Sequence, residues 1–333
     1  MTFATLIRRS GLLAGAAAIA ALALATPGLA QSFPVTDDNC GVTTIYDAAP
    51  TRAVTLSNNA TELMLALGLE GSMAGTSYMA NLRISPAYAK AYAKVPVISP
   101  LVATTEELIA AEADFVYAGY PDGFSESRHT RDQLHDLGMK TRLNVEGCNL
   151  GAFGFPQLFE EIRSVAAIFG IADHGEQLVA DLSARLDAVK DKLAGAPSIP
   201  VFIYNGGDSA PNAALGNTML SQAVAAAGGR NIFDDVANRF GQVSWEQVAE
   251  RAPEYIVVFY SGTASGQVVA DPDKELGQAR IETLKSIPSI ADVPAIANNR
   301  FILINSVQGQ PGPSTVDAVE AMARAFHPQT FGQ

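Results

Sequence analysis

The sequence predicts an α/β protein of two Rossmann-like lobes joined by a long rigid α-helix, and three observations carry that expectation. From Arg52 onward short β-branched runs alternate with longer helical periods, as units of a mostly parallel sheet do. From Pro156 to Leu193 the pattern stays helical, with one interruption near Gly170. After Gly195 and Pro197 the alternation starts again. The composition permits such a core, because 48% of the 333 residues are hydrophobic and 17% charged, which excludes a disordered chain.

In chain order, residues 1–30 read as an export signal. Arg8 and Arg9 give a positive start, Leu12 to Ala25 is nearly all Ala, Leu, Gly and Ile, and Gly28-Leu29-Ala30 supplies the small residues of a cleavage site, so the cut is expected after Ala30. Ser10-Gly11-Leu12 follows the arginine pair imperfectly for twin-arginine export, so ordinary secretion fits better. No later stretch approaches ~18 uninterrupted apolar residues, and the mature protein is expected to be soluble.

Residues 31–155 are expected to form the first lobe. Ala53-Val54-Thr55-Leu56 reads as a buried strand, Ser57-Asn58-Asn59 as helix caps, and Glu62 to Leu67 as a helix stopped by Gly68 and Gly71. The helix Thr105 to Ala111, the strand Phe115 to Ala118, the helix Arg128 to Leu137 and the strand Lys140 to Val145 follow.

Residues 156–195 are the helical segment. Leu178, Leu182, Leu186, Val189 and Leu193 fall on one stripe, and a helix from Asp173 to Leu193 would span about 31 Å, enough to bridge two lobes. Residues 196–333 repeat the α/β pattern: strand Val201 to Tyr204, helix Thr218 to Ala227, helix Glu246 to Arg251, strand Tyr255 to Phe259, strand Phe301 to Ile304 and helix Thr315 to Ala325.

Twenty-two Lys and Arg against 34 Asp and Glu give a net charge of −12, which argues against nucleic acid and an anionic membrane surface as partners. Cys40 and Cys148 are too few for a disulfide scaffold and lack C-x-x-C spacing. In an oxidising compartment a lone pair of cysteines is expected to be bonded, the alternative being two separate buried thiols.

Three blocks carry a resemblance. Arg52-Ala53-Val54-Thr55-Leu56-Ser57-Asn58-Asn59-Ala60-Thr61-Glu62-Leu63, followed by Gly75-Thr76-Ser77-Tyr78, is the first. Glu106-Glu107-Leu108-Ile109 leading to Asp114-Phe115-Val116 is the second. The third runs from Ala227-Gly228-Gly229-Arg230-Asn231 through Val243-Ser244-Trp245-Glu246 to Pro253-Glu254-Tyr255. In this order they resemble the iron-siderophore and vitamin B12 binding proteins of ABC importers, over about residues 50 to 326. The resemblance implies a monomeric periplasmic carrier, not an enzyme and without a cofactor of its own. It implies a ligand cleft between two lobes, and delivery of a metal chelate, foremost a ferric siderophore, to permease and ATPase subunits. Cobalamin and haem are the alternative cargoes.

Matched residue by residue, the resemblance implies permease docking by Glu106 and Glu246. It also puts Tyr78, Tyr204 and Phe240 at the cleft. Tyr120 and Tyr260 join them on the rule that ligands bind at the carboxyl ends of strands. Arg83 and Arg239 are candidates to meet an anionic chelate, since guanidinium offers several donors to carboxylate or catecholate oxygens. Pro100 and Gly119 stand where vitamin B12 binders of the family can show tryptophan, a departure that favours other chelates.

A reading of another class rests on Gly207-Asp208-Ser209, similar to the opening of a secreted GDS-type serine hydrolase, with His327 as its only nominal base. The four histidines, His129, His135, His174 and His327, do not cluster as metal ligands would.

Overall fold

The computed structural model describes residues 1–2, 33–78, 84–148, 151–260, 263–264, 267–268 and 273–332. The expected export signal with its cleavage site, and Arg83, lie outside the described residues. No helix among them is long and apolar enough to cross a membrane.

The described chain opens with a hairpin that the sequence reading did not anticipate: β1 (Val35–Asn39) pairs antiparallel with β2 (Val42–Tyr46). Cys40 and Gly41 form its two-residue turn at φ 54° and 78°, the double positive φ that matches strand twist. Asp37 faces inward with Asn39. It pairs with Arg142, whose guanidinium also bonds Glu161 at 2.9 Å, while the Tyr117 hydroxyl donates to Glu161 at 2.5 Å. One buried cation thus compensates two buried carboxylates and ties the hairpin to the first lobe.

Five parallel strands make the first sheet: β3 (Ala53–Thr55), β4 (Met73–Ser77), β5 (Val97–Ser99), β6 (Phe115–Ala118) and β7 (Lys140–Leu143), in the order β5-β4-β3-β6-β7. The crossovers carry α1 (Asn58–Ala66), α2 (Ala89–Tyr92), α3 (Thr105–Ala110) and α4 (Arg131–Asp136). The order reverses between β3 and β6, so the crevice outside their carboxyl ends is the place for a ligand. Helix α4 starts three residues later than the sequence pattern indicates, because Thr130 and Gln133 close a capping box there.

Helices α5 (Phe155–Ile168) and α6 (Ala172–Lys192) carry the chain onward. The expected stripe faces protein along the whole of α6. Leu178, Val179 and Leu182 pack into the first apolar cluster, Val189 and Leu193 into a second, and Leu186 touches both.

The second sheet is built on β8 (Ile199–Tyr204), with β9 (Asn212–Ala214), β10 (Gly229–Asn231), β11 (Phe240–Gln242), β12 (Tyr255–Tyr260) and β15 (Phe301–Asn305). A two-residue pair, β13 (Thr263–Ala264) and β14 (Gln267–Val268), lies beyond β12. The order is β11-β9-β8-β12-β15, with β10 alongside the start of β8. Its helices are α7 (Met219–Ala226), α8 (Trp245–Arg251), α9 (Ala279–Lys285), α10 (Pro294–Ala297), α11 (Ser306–Gly309) and α12 (Ser314–Phe326). Here the order reverses between β8 and β12. The lobes also share core: Met219 at the start of α7 and Val316 on α12 are fully buried in the cluster of the first lobe.

Candidate functional site

The first lobe brings three loops to the reversal point of its sheet. After β3, Ser57 caps α1 by accepting from Ala60 N–H at 3.4 Å and donates its hydroxyl to Asn59 at 2.6 Å. After β6 the chain passes so close to this cap that a Cβ on Gly119 would collide with Asn59 Oδ1 and Ser57 Oγ. A tryptophan has no room there, which gives the sequence's departure a packing cause. After β4, Tyr78 takes the left-handed conformation at φ 63°, costly for an aromatic residue and therefore a mark of constraint. Its ring meets Tyr120 edge-on at 6.1 Å. Burial pushes both phenols above their usual range. Tyr78 and Tyr120 remain partly exposed.

The second lobe meets fewer of the expectations. Tyr204 is 1% exposed and Tyr260 2%, so neither offers a ring face in this arrangement. The ring of Tyr204 leans on Trp245 at 5.9 Å, and its hydroxyl donates to Gly207 O at 3.2 Å. The Tyr260 hydroxyl bonds Asp273. Phe240 and Arg239 are partly exposed on the chain entering β11. Arg239 is already paired: its Nη2 stands 2.9 Å from Glu146 of the first lobe. Burial raises the Glu146 carboxyl and Arg239 pulls it back.

A cation that sequence reasoning missed stands beside Tyr204. Arg280 on α9 lies against Gly206, gives one hydrogen bond to Phe259 O and makes no ion pair among the described residues. Burial lowers its pKa, the sign of a guanidinium short of compensation. Nothing in Gln278-Ala279-Arg280 marks it, since α9 reaches the cleft only through the fold.

The lobes meet along a seam. Glu146 accepts from Met219 N–H at 3.5 Å besides holding Arg239, and Asn58 Nδ2 donates to Ser306 Oγ at 3.5 Å. Glu62 accepts from Ser85 N–H at 3.1 Å and from Ser314 N–H at 3.2 Å. A cavity of about 400 Å³ opens on the seam, with Ile84, Ser85 and Pro86 on one side and Tyr260, Asn305 and Ser314 on the other. Cys40 and Cys148 are bonded, Cα atoms 5.0 Å apart, which staples the hairpin turn to the 3-10 turn Val145–Cys148 that bears Glu146.

Glu106 and Glu246 are exposed on the first turns of α3 and α8. Glu107 is spent on the capping box, accepting from Thr104 N–H at 2.8 Å, which leaves Glu106 the free carboxylate of the pair. The Glu246 carboxyl is held below its usual range by its own backbone N–H and the Ser244 hydroxyl.

The hydrolase reading fails on geometry. Ser209 follows the carboxyl end of β8, while His327 bonds Gly228 O at 3.3 Å, and Gly228 hydrogen-bonds Ile199 at the other end of that strand. A six-residue strand separates them by roughly 20 Å. Among the described residues no three His, Cys, Asp or Glu are placed to hold a metal ion.

Two αβ lobes with facing strand ends, a packed helical bridge and a seam cavity define a solute-binding carrier of the two-lobed kind. The chain belongs to the periplasmic binding protein family, whose sequence pattern matches residues 54–307. It is 25% identical over 314 residues to the cobalamin-binding protein of Halobacterium salinarum, covering 91% of this chain and 76% of that one. Its fold matches a periplasmic binding protein from Veillonella parvula at a TM-score of 0.78 and 28% identity, covering 90% of this chain and 99% of the other. An ABC-type Fe3+-hydroxamate transport protein from Saccharomonospora viridis follows at 0.72 and 25%, covering 88% and 99%. The chain is thus a substrate-binding protein of the ABC-importer kind and not an enzyme.

Proposed function

We propose that this chain captures a ferric siderophore between its lobes in the periplasm and hands it unchanged to an ABC permease. The observation that carries the siderophore reading is Arg280, a half-buried guanidinium at the carboxyl ends of β8 and β12 that feels the charge of Asp208 but makes no ion pair among the described residues. An anionic chelate would complete its hydrogen bonding. Tyr78 and Tyr120 supply aromatic surface on the opposite lobe, with Phe240 at the rim. Arg239 contributes to the ligand only by sharing its guanidinium with Glu146.

Cobalamin is the second reading, supported by the neutralised Glu146–Arg239 pair and by relatives named for that ligand. In both readings Glu106 and Glu246 dock the permease, one from each lobe, and the ATPase sits behind it. The carrier works as a monomer, with residues 31–155 and 196–333 as lobes and 156–195 as the bridge.

Trp245, the only tryptophan, packs on Tyr204 and reports on this corner. Titrating its fluorescence with ferrichrome, ferric catecholates, haemin and cyanocobalamin tests the assignment. Saturable quenching by a ferric siderophore, weakened by Arg280→Ala, is expected. A response to cyanocobalamin alone selects the second reading, and no response to any probe rejects both.

A further inference from the structure

Glu62 belongs to no role assigned so far. It sits on α1, 1% exposed, and its two carboxylate oxygens serve different lobes. Oε2 accepts the N–H of Ser85, which opens the turn Pro86–Tyr88 of the first lobe, at 3.1 Å. Oε1 accepts the N–H of Ser314, the first residue of α12 in the second lobe, at 3.2 Å. Ser85 and Ser314 are both walls of the seam cavity.

We propose that Glu62 is a positioning residue for the carried ligand: one carboxylate ties the Ser85–Pro86 wall to the first turn of α12 and so sets the width of the cavity between them. The ligand clause rests on the carrier reading above; the tie itself does not.

The charges around Glu62 leave the tie to hydrogen bonds alone. Asp317 on α12 repels it, and Arg185 on α6 is taken up by Asp317 at 2.5 Å and Glu320 at 2.9 Å. The phenol of Tyr88 faces it from the adjacent turn and is itself raised, first by burial and then by Glu62. With no cation in contact among the described residues, burial pushes the Glu62 carboxyl up to about 7. Above that pH both oxygens are acceptors. Below it one carries a proton and the seam no longer buries an uncompensated charge, so the closed tie favours the protonated acid.

Hydrogen exchange at the Ser85 and Ser314 amides, measured from pH 5.5 to 8.5 and corrected for intrinsic rates, tests the tie without any ligand. Protection in the native protein should fall as pH rises through about 7, because opening the seam lets Glu62 ionise in water near its ordinary value. Glu62→Gln, which preserves shape, should abolish that pH dependence, and Glu62→Ala should speed both amides about tenfold. Spin labels at Asp136→Cys and Lys285→Cys, exposed on opposite lobes, should give one narrow distance at pH 8 and a broader one in Glu62→Ala. Amides and distances unchanged in both variants and across pH would overturn the proposal. Among ferrichrome, haemin and cyanocobalamin, whichever binds should bind about tenfold more weakly to Glu62→Gln at pH 8. Responsive amides with no probe bound would overturn the carrier reading, and the positioning role with it, while leaving the tie.

Discussion

Glu106 and Glu246 occupy the same position in two helices built alike. Thr104 caps α3 and Ser244 caps α8, each closing a capping box with the third helical residue, Glu107 or Gln247, and each leaving the second, Glu106 or Glu246, exposed. Each helix then leads into a strand beside the reversal point of its sheet, β6 or β12. The two carboxylates are therefore counterparts in two lobes of similar construction, each placed by the same kind of capping box.

If these counterparts dock the permease, Glu106→Ala with Glu246→Ala should cripple uptake and leave ligand affinity within about twofold, because exposed carboxylates steer and orient more than they stabilise. Glu107→Ala is the control. It removes a cap and should cost about 1 kcal/mol of stability without touching uptake. Transport in reconstituted vesicles and ligand titration separate the two effects; loss of binding in the double variant would place the pair in the cleft or the fold.

The disulfide has a local target as well as a global one. Its bridge closes 108 residues, and its loss should lower stability by about 2–4 kcal/mol in the chain-entropy account. It should also free the Val145–Cys148 turn that presents Glu146. Cys40→Ala with Cys148→Ala is thus expected to weaken the Glu146–Arg239 pair in addition to lowering the melting temperature. Denaturant unfolding of that variant with and without Arg239→Ala measures both, and a double-variant effect equal to the sum would show the turn to be independent of the bridge.

How much of this was legible in the sequence depended on whether the signal was local. The strand Phe115–Ala118 carries its own β-branched and aromatic run and has the bounds expected. The stripe on α6 was equally plain. The hairpin Val35–Tyr46 was hidden because Asp37 and Asn39 fill inward positions, where apolar residues would have shown a period of two. Those positions become intelligible only with Arg142, which meets Asp37, and the Leu143 backbone, which bonds the Asn39 amide, both more than a hundred residues away. Strands β9, β10 and β11 are three residues each; β9 and β10 pair with β8 and β11 with β9, so their place comes from the sheet rather than from their own residues. At the site, Tyr78 and Tyr120 meet edge-on after two strand ends, whereas Tyr204 and Tyr260 end strands with their rings turned into protein. Glu62, Glu146 and Arg280 acquire meaning from partners on the other lobe or another helix, which no local spacing encodes.

The seam pair Glu146 and Arg239 makes an asymmetric prediction. Glu146 is 7% exposed and the Arg239 side chain 27%, so removing the arginine strands a buried carboxylate whereas removing the acid frees a half-exposed cation. Arg239→Ala should cost about 2–3 kcal/mol, and Glu146→Gln clearly less. With the Glu146 carboxyl already raised by burial, Arg239→Ala should raise it further, giving a variant that recovers stability on acidification. A double-variant cycle read by urea unfolding at pH 5.5 and 8 checks this, and equal losses at both pH values would contradict it.

Glu62 sets a pH dependence of opposite sense to the usual acid unfolding. In the unfolded chain its carboxyl ionises near the ordinary 4.5, and in the fold near 7. Below pH 4.5 both states hold the proton and the contribution of this group is complete. Between the two values only the folded state keeps the proton, so stability falls as pH rises and the loss is complete above about 7. The shift corresponds to something on the order of 3 kcal/mol at this nearly unexposed site. Glu62→Gln carries no titrating proton, so the difference in unfolding free energy between it and the native protein isolates the group from every other carboxylate. That difference should grow from pH 5 to 8 in favour of the glutamine variant, even though the variant loosens the seam that the ionised carboxylate holds together. Chemical unfolding at four pH values across this range decides it: a constant difference would mean that Glu62 ionises at an ordinary pH and that water reaches the seam.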